Sequence, residues 1–153
     1  MIDIVSKATR SRMMSGIKGK NTKPELMMRR YLHSKGFRFR IHEDKLPGRP
    51  DVVLKRYGVV VLVHGCFWHR HKNCFYATAP NSRKDFWSLK FSKNTARDES
   101  QVLQLLELGW RVLVVWECGT KNALDDIGQI DVFIKGDFKY MEWPSTPKRI
   151  RVS

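Results

Sequence analysis

The stretch His64–Cys74, HGCFWHRHKNC, constrains this chain more than any other, because it sets three histidines and two cysteines within eleven residues. Donors this close must share a turn, and they follow directly on the β-branched run VVVLV, so a strand has to end where the ligands begin. Cys66, Cys74 and the distant Cys118, which closes the apolar run WRVLVVWEC, are the only cysteines of the chain. An odd number at irregular spacing does not make a disulfide framework, whereas three thiols and an imidazole make a closed tetrahedral set for zinc. Such a site has no vacant position, so its role is to staple the loop 65–82 to the sheet. Spacing alone does not fix which histidine serves. The alternative use of the cysteines is as small buried hydrophobes.

The elements around this loop follow from periodicity and punctuation. NTKPELMMRRYLHSKGF reads as a helix with Asn21 or Thr22 as cap, Pro24 in the first turn and Gly36 as stop. FRFRIHE alternates like a strand, LPGRP is a turn, and DVVLK and VVVLVHG are strands separated by RYG. SRKDFWSLKFSKNTARDESQVLQLLELGW reads as one long or two broken helices carrying Leu103 and Leu106 and ending at Gly109. WRVLVVWE is a further buried strand with Trp110 and Trp116 as core, and LDDIGQIDVFIKGDF holds a short helix. After residue 135 the sequence gives no assignment. The order predicts an α/β protein, a mixed sheet with helices on its faces.

Asp51 opens a strand after LPGRP, and His64 ends the next strand thirteen residues later. A carboxylate and an imidazole on paired strands face a common point. An oxygen donor suits Mg²⁺, and an imidazole beside the ion's waters can accept a proton. An isolated Asp after Pro is otherwise a turn residue, and Glu25, three residues after Thr22, is otherwise a capping-box residue.

The chain carries 29 Lys and Arg against 15 Asp and Glu in 153 residues, a formal charge of +14. Residues 1–40 hold eleven of the basic residues, opposed only by Asp3 and Glu25. A field of this sign attracts phosphate backbones, and residues 1–20 read as a DNA-contacting arm before a single domain, 21–153. No run approaches the roughly 18 apolar residues of a membrane span, and MIDIVSKATR has no signal-peptide core, so a cytoplasmic protein that works at the nucleoid is expected.

LPGRPD, VHGCFWHRH with Cys three positions on, DFW, KNTARD and LGWRVLVVWEC occur in this order within residues 7–118. Together they closely resemble the very short patch repair mismatch endonucleases of bacteria. The resemblance implies a restriction-endonuclease-like fold and a Mg²⁺-dependent nick 5′ of the thymine in a T:G mismatch, the lesion left when 5-methylcytosine deaminates. It implies Asp51 as the magnesium ligand, His69 as general base, and Glu25, His64 and Asp98 as holders of metal-bound waters. It makes Cys66, His71, Cys74 and Cys118 the zinc ligands. It also makes Phe67, Trp68, Trp87 and the arm residue Met14 wedges in the duplex, with Lys90 and Asn94 near the mismatched bases. Where some members have threonine before HGCFWH, this chain has Val63. A backbone contact to the metal survives that change and a hydroxyl contact does not. The His71–Cys74 spacing is one residue longer than in some members.

A monomer acting on double-stranded DNA is expected, and the sequence names no repair-protein partner. Two other readings share many of these residues: a restriction-type enzyme of the same fold that cuts both strands, and a zinc-stabilised DNA-binding protein without activity. The second leaves Asp51, His64 and His69 unused.

Overall fold

The two longest β-branched runs of the chain lie side by side at the centre of its sheet. The computed structural model describes residues 21–147. Within them five strands form one sheet in the order β1 (Arg40–Ile41), β2 (Val52–Leu54), β3 (Val59–His64), β4 (Arg111–Trp116) and β5 (Tyr140–Trp143). Strand β2 runs antiparallel to both β1 and β3, and β4 runs parallel to both β3 and β5. The helices are α1 (Lys23–Ser34), α2 (Lys84–Glu107), α3 (Glu117–Asn122) and α4 (Gly128–Lys135). The arm expected over residues 1–20, with Met14, lies outside the described residues.

Because β3 and β4 are covered on both faces, they read as continuous apolar runs instead of alternating ones. Val59, Val61, Leu113 and Val115 point to one face, where Met28 and Leu32 of α1 and Ile130 and Phe133 of α4 meet them. Val60, Leu62, Val112 and Val114 point to the other, against Leu105 of α2 and the three cysteines. The metal-ligand candidates are thus part of a core layer, and among the described residues no helix is long and apolar enough to cross a membrane.

Helix α1 starts as its sequence predicts: the Thr22 side chain accepts from the amide of Glu25, Pro24 lies in the first turn, and Gly36 stands at φ +82° just past the end. Gly58, at φ +67°, makes the turn between β2 and β3.

Two expectations change, one open alternative is settled and one unassigned segment is placed. FRFRIHE pairs only at Arg40–Ile41, because His42 turns the chain to φ +50°. Residues 84–107 form one continuous helix of 24 residues, on which Leu105 is fully buried, Leu106 half-buried and Leu103 59% exposed. Cys118 lies in the first turn of α3, not at the end of a strand. The segment after residue 135 supplies the edge strand β5, of which only Trp143 is buried.

Gly119 is where α3 meets β5. A Cβ there would lie 2.6 Å from Cζ3 of Trp143 and 2.7 Å from Cδ of Pro144. Gly119→Ala is expected to cost about 1–3 kcal/mol through overpacking, measured by urea unfolding. An unchanged midpoint would show that Trp143 yields at no cost.

Candidate active site

Parallel strands β3 and β4 end together, with His64 paired to Trp116, and the ligand-rich loop leaves the sheet at this carboxyl edge. That is where open α/β sheets place their ligands. The loop is tightly folded on itself: the amide of His69 donates to Gly65 O, that of His71 to Cys66 O and that of Cys74 to His71 O. Arg70 and Asn73 adopt positive φ, and the Arg70 guanidinium donates to the carbonyls of Phe67, Ala77 and Thr78.

These turns carry Cys66, His71 and Cys74 inward to Cys118 of α3. All four are buried, with one donor atom from each within 4.8 Å of the other three. Nδ1 of His71 lies 3.6 Å from Sγ of Cys66 and 3.5 Å from Sγ of Cys118, while the Cys118 amide donates to the Cys66 sulfur at 3.3 Å. The thiol of Cys66 is pushed up by its contact with Cys118 and by burial, and that of Cys74 by burial. Thiols so placed resist ionisation unless a cation compensates, and in composition and spacing the four donors could hold a soft metal ion. Trp116 stacks flat on His71, ring centres 4.1 Å apart, and its indole N–H donates to Glu142. The sequence marked Trp116 only as core.

The harder donors gather around a cavity of about 910 Å³ beside this cluster. They form two groups instead of one. The first comprises Glu25, His42 and Asp51 and the second His64, His69 and Asp98, each with donor atoms within 4.8 Å of one another. Oδ2 of Asp51 accepts the amide of Val63 at 2.6 Å, a backbone hydrogen bond that does not depend on the side chain at this position. Glu25 is 3% exposed and accepts from the amide of Asn21 and from Arg29. Burial, and secondarily the neighbouring Glu25, push the Asp51 carboxyl up to about 7, against the opposing Val63 N–H and Arg29. Two carboxylates in one half-buried place favour a shared proton or a bound cation.

In the second group Asp98 of α2 lies 2.6 Å from Nδ1 of His69 through Oδ2, which fixes that ring and leaves Nε2 unengaged by this bond. The ring of His64 stacks on that of His69 at 4.0 Å. Burial first, then the imidazoles of His69 and His71, push His64 down to about 3. His42 was missed in the sequence, where its only cue is a place just ahead of the LPGRPD turn.

Phe67 and Trp68, which the resemblance casts as wedges, are half-buried. Trp87 and Phe91, one turn apart on α2, receive them at ring distances of 5.2 to 5.9 Å, and Trp87 is itself 8% exposed. Asn94, another turn along, donates to the carbonyl of Trp68 at 3.2 Å, while Lys90 is exposed.

Carboxylates and a carboxylate-bound imidazole around an open cavity, on a strongly basic chain, are the equipment of a phosphodiester hydrolase. The family described as DNA mismatch endonuclease Vsr matches residues 2–75. DNA mismatch endonuclease Vsr of Escherichia coli K12 is 44% identical over 122 residues, 80% of this chain and 78% of that protein. Type II nicking enzyme V.XorIIP of Xanthomonas oryzae pv. oryzae is 43% identical over 135 residues, 88% of this chain and 96% of the relative. V.NmeAIP, a type II nicking enzyme of Neisseria meningitidis serogroup A, is 43% identical over 80% of this chain and 86% of its own. The chain belongs to the Vsr family of DNA mismatch endonucleases.

Asp51 also supplies a test of the site's electrostatics. Burial raises its carboxyl from the ordinary 3.8 to about 7, so without a cation beside it the fold binds the extra proton between these values. The stability this group contributes is therefore complete below about pH 4 and is lost as pH rises through about 7. Asp51→Asn should gain stability relative to the parent as pH is raised across that window, measured by urea unfolding without added Mg²⁺. A difference independent of pH would contradict the burial of an ionisable carboxyl here.

Proposed function

We propose that this endonuclease hydrolyses one phosphodiester on the 5′ side of the thymine in a T:G mismatch, with Mg²⁺ as its catalytic cation and zinc in the cysteine cluster. The observation that carries the reading is the meeting of Asp51 with the His69–Asp98 pair on one cavity beside the aromatic loop. The type II nicking enzymes among its relatives favour a single-strand cut over a double-strand one. The mixed sheet with its cavity at the strand ends supports a restriction-endonuclease-like core.

The donor sets fit the two ions differently. Oxygen-rich Asp51 and Glu25 suit Mg²⁺, and three thiols with one imidazole suit Zn²⁺. Asp51 would hold the magnesium, its carboxylate oriented by the Val63 N–H, with Glu25, His64 and Asp98 near the ion's waters. When bound, Mg²⁺ supplies positive charge to the scissile phosphate and to the departing 3′ oxygen. His69, oriented through Nδ1 by Asp98, accepts at Nε2 the proton of the water that attacks in line. His64, held neutral by burial, lies behind that ring without adding a second positive charge to the stack.

Recognition falls to the aromatic group and the basic surface. Phe67 and Trp68, backed by Trp87 and joined by Met14 of the arm, enter the duplex where a mismatched pair makes unstacking least costly. Asn94 supports this wedge through the Trp68 carbonyl, and exposed Lys90 reaches the bases from α2. The arm, residues 1–20, adds phosphate contacts. The enzyme acts as a monomer in the cytoplasm.

With Mg²⁺ and supercoiled circles that differ only in T:G or C:G at one position, the T:G circle alone should be converted to nicked circle, cut 5′ of the thymine. Linear product, or equal cutting of both, would overturn the reading. His69→Ala should lower the nicking rate by about 10²–10⁴-fold while gel-shift affinity for the T:G duplex stays near that of the parent. A rate within a few fold of the parent would remove His69 as the base.

A further inference from the structure

Asp51 and Glu25 come from different elements, the start of β2 and the first turn of α1, and their like charges oppose close approach. One residue is bonded to both. The backbone N–H of His42 donates to the carbonyl oxygen of Asp51 at 3.3 Å, and Nε2 of its ring lies 3.2 Å from Oε2 of Glu25. The same nitrogen is 3.1 Å from Nη2 of Arg29, which is itself 3.1 Å from that Glu25 oxygen. In either ring tautomer Nε2 is tied into the Glu25 network, as donor to the carboxylate or as acceptor from the guanidinium that holds it.

The network is aimed at one atom. Asn21 N, Arg29 Nη2 and His42 Nε2 all converge on Oε2, which leaves Oε1 of Glu25 outside these bonds. His42 stands at φ +50°, a left-handed conformation uncommon outside glycine that His, like Asn and Asp, adopts more readily than most residues, immediately where β1 ends. That turn lets its ring line the cavity that Glu25 and Asp51 share. Local strain of this kind persists where surrounding structure fixes it, and it clusters at functional sites.

We propose that His42 is a positioning residue of the catalytic cation site: bonded to the Asp51 main chain through its own backbone and to the Glu25 network through its ring, it sets the separation of the two carboxylates. This rests on the reading that Asp51 and Glu25 receive the divalent cation. His42 does not act on the DNA or on the attacking water. Partners of this kind, which orient a ligand without being one, are worth about 10–100-fold in metal affinity.

The test uses Mn²⁺ as probe and counts free ion by electron paramagnetic resonance during titration of the full-length protein, for the parent and for Asp51→Asn, His42→Asn and His42→Gln. Asn tolerates the left-handed backbone but is too short to reach Glu25, whereas Gln keeps an amide near the place of Nε2. His42→Asn should weaken Mn²⁺ binding on the order of tenfold or more, and His42→Gln should recover most of the loss. His42→Asn with parental affinity, a lower melting temperature without any change in affinity, or His42→Gln no better than His42→Asn would each overturn the positioning role. In those three cases loss of binding in Asp51→Asn leaves the cation site itself standing. Parental binding in Asp51→Asn, or no Mn²⁺ binding by the parent, would remove that site and the role of His42 with it.

Discussion

Four donor atoms drawn together at the end of β4 organise everything else in the site. Cys66, His71 and Cys74 fold the loop back on itself, and Cys118 fixes it to the corner between β4 and α3. His64 and His69 lie on either side of Cys66, so the cluster dictates where their rings meet. Phe67 and Trp68 lie between the same ligands and are directed by it onto α2. Trp116 passes the constraint to the sheet by stacking on His71 while closing edge-on against His64. The thiols of Cys66 and Cys74 repay such gathering poorly on their own, since contact with Cys118 and burial push the first up and burial the second. A bound cation converts the arrangement from tolerated to strongly favourable.

The second constraint is electrostatic and has the opposite character. Around the cavity the chain collects Glu25, Asp51 and Asp98, although its overall charge is +14. The basic excess draws a DNA backbone toward the surface, and in the proposed reading the local acidic groups would seat a cation against the phosphate. The carboxylates differ in their partners. Asp98 lies against His69, Glu25 meets Asn21, Arg29 and His42, and Asp51 accepts the Val63 backbone N–H. Burial pushes the Asp51 carboxyl up to about 7, a cost that a bound cation would offset.

Much of this was legible because some residues leave local marks. The helix α1 is announced by Thr22, Pro24 and Gly36, the central strands by their β-branched runs, and the metal cluster by the scarcity of other roles for three cysteines. Elements set by tertiary contact were not. Strand β5 buries only Trp143 and pairs with β4 across a long connection, so nothing in KYMEW distinguishes it from a loop. His42 belongs to the site because a left-handed turn aims its ring, which no spacing rule anticipates. Leu103, named with Leu106 as the apolar marks of this helix, is exposed while Leu105 is buried, because the face that meets the sheet is set by packing. Phe67 and Trp68 are covered by Trp87 and Phe91 on α2, a packing relation between segments distant in sequence.

The central claim is that the soft cluster holds the nuclease loop in its working shape. It is tested most directly by stripping that metal with a thiol-competing chelator and refilling with Zn²⁺, at constant Mg²⁺, while following both nicking of a T:G duplex and tryptophan fluorescence. The account predicts that both signals are lost together and return together at one equivalent of zinc per chain. Full nicking by stripped protein, or by a chain with Cys66, Cys74 and Cys118 all changed to Ser, would contradict it.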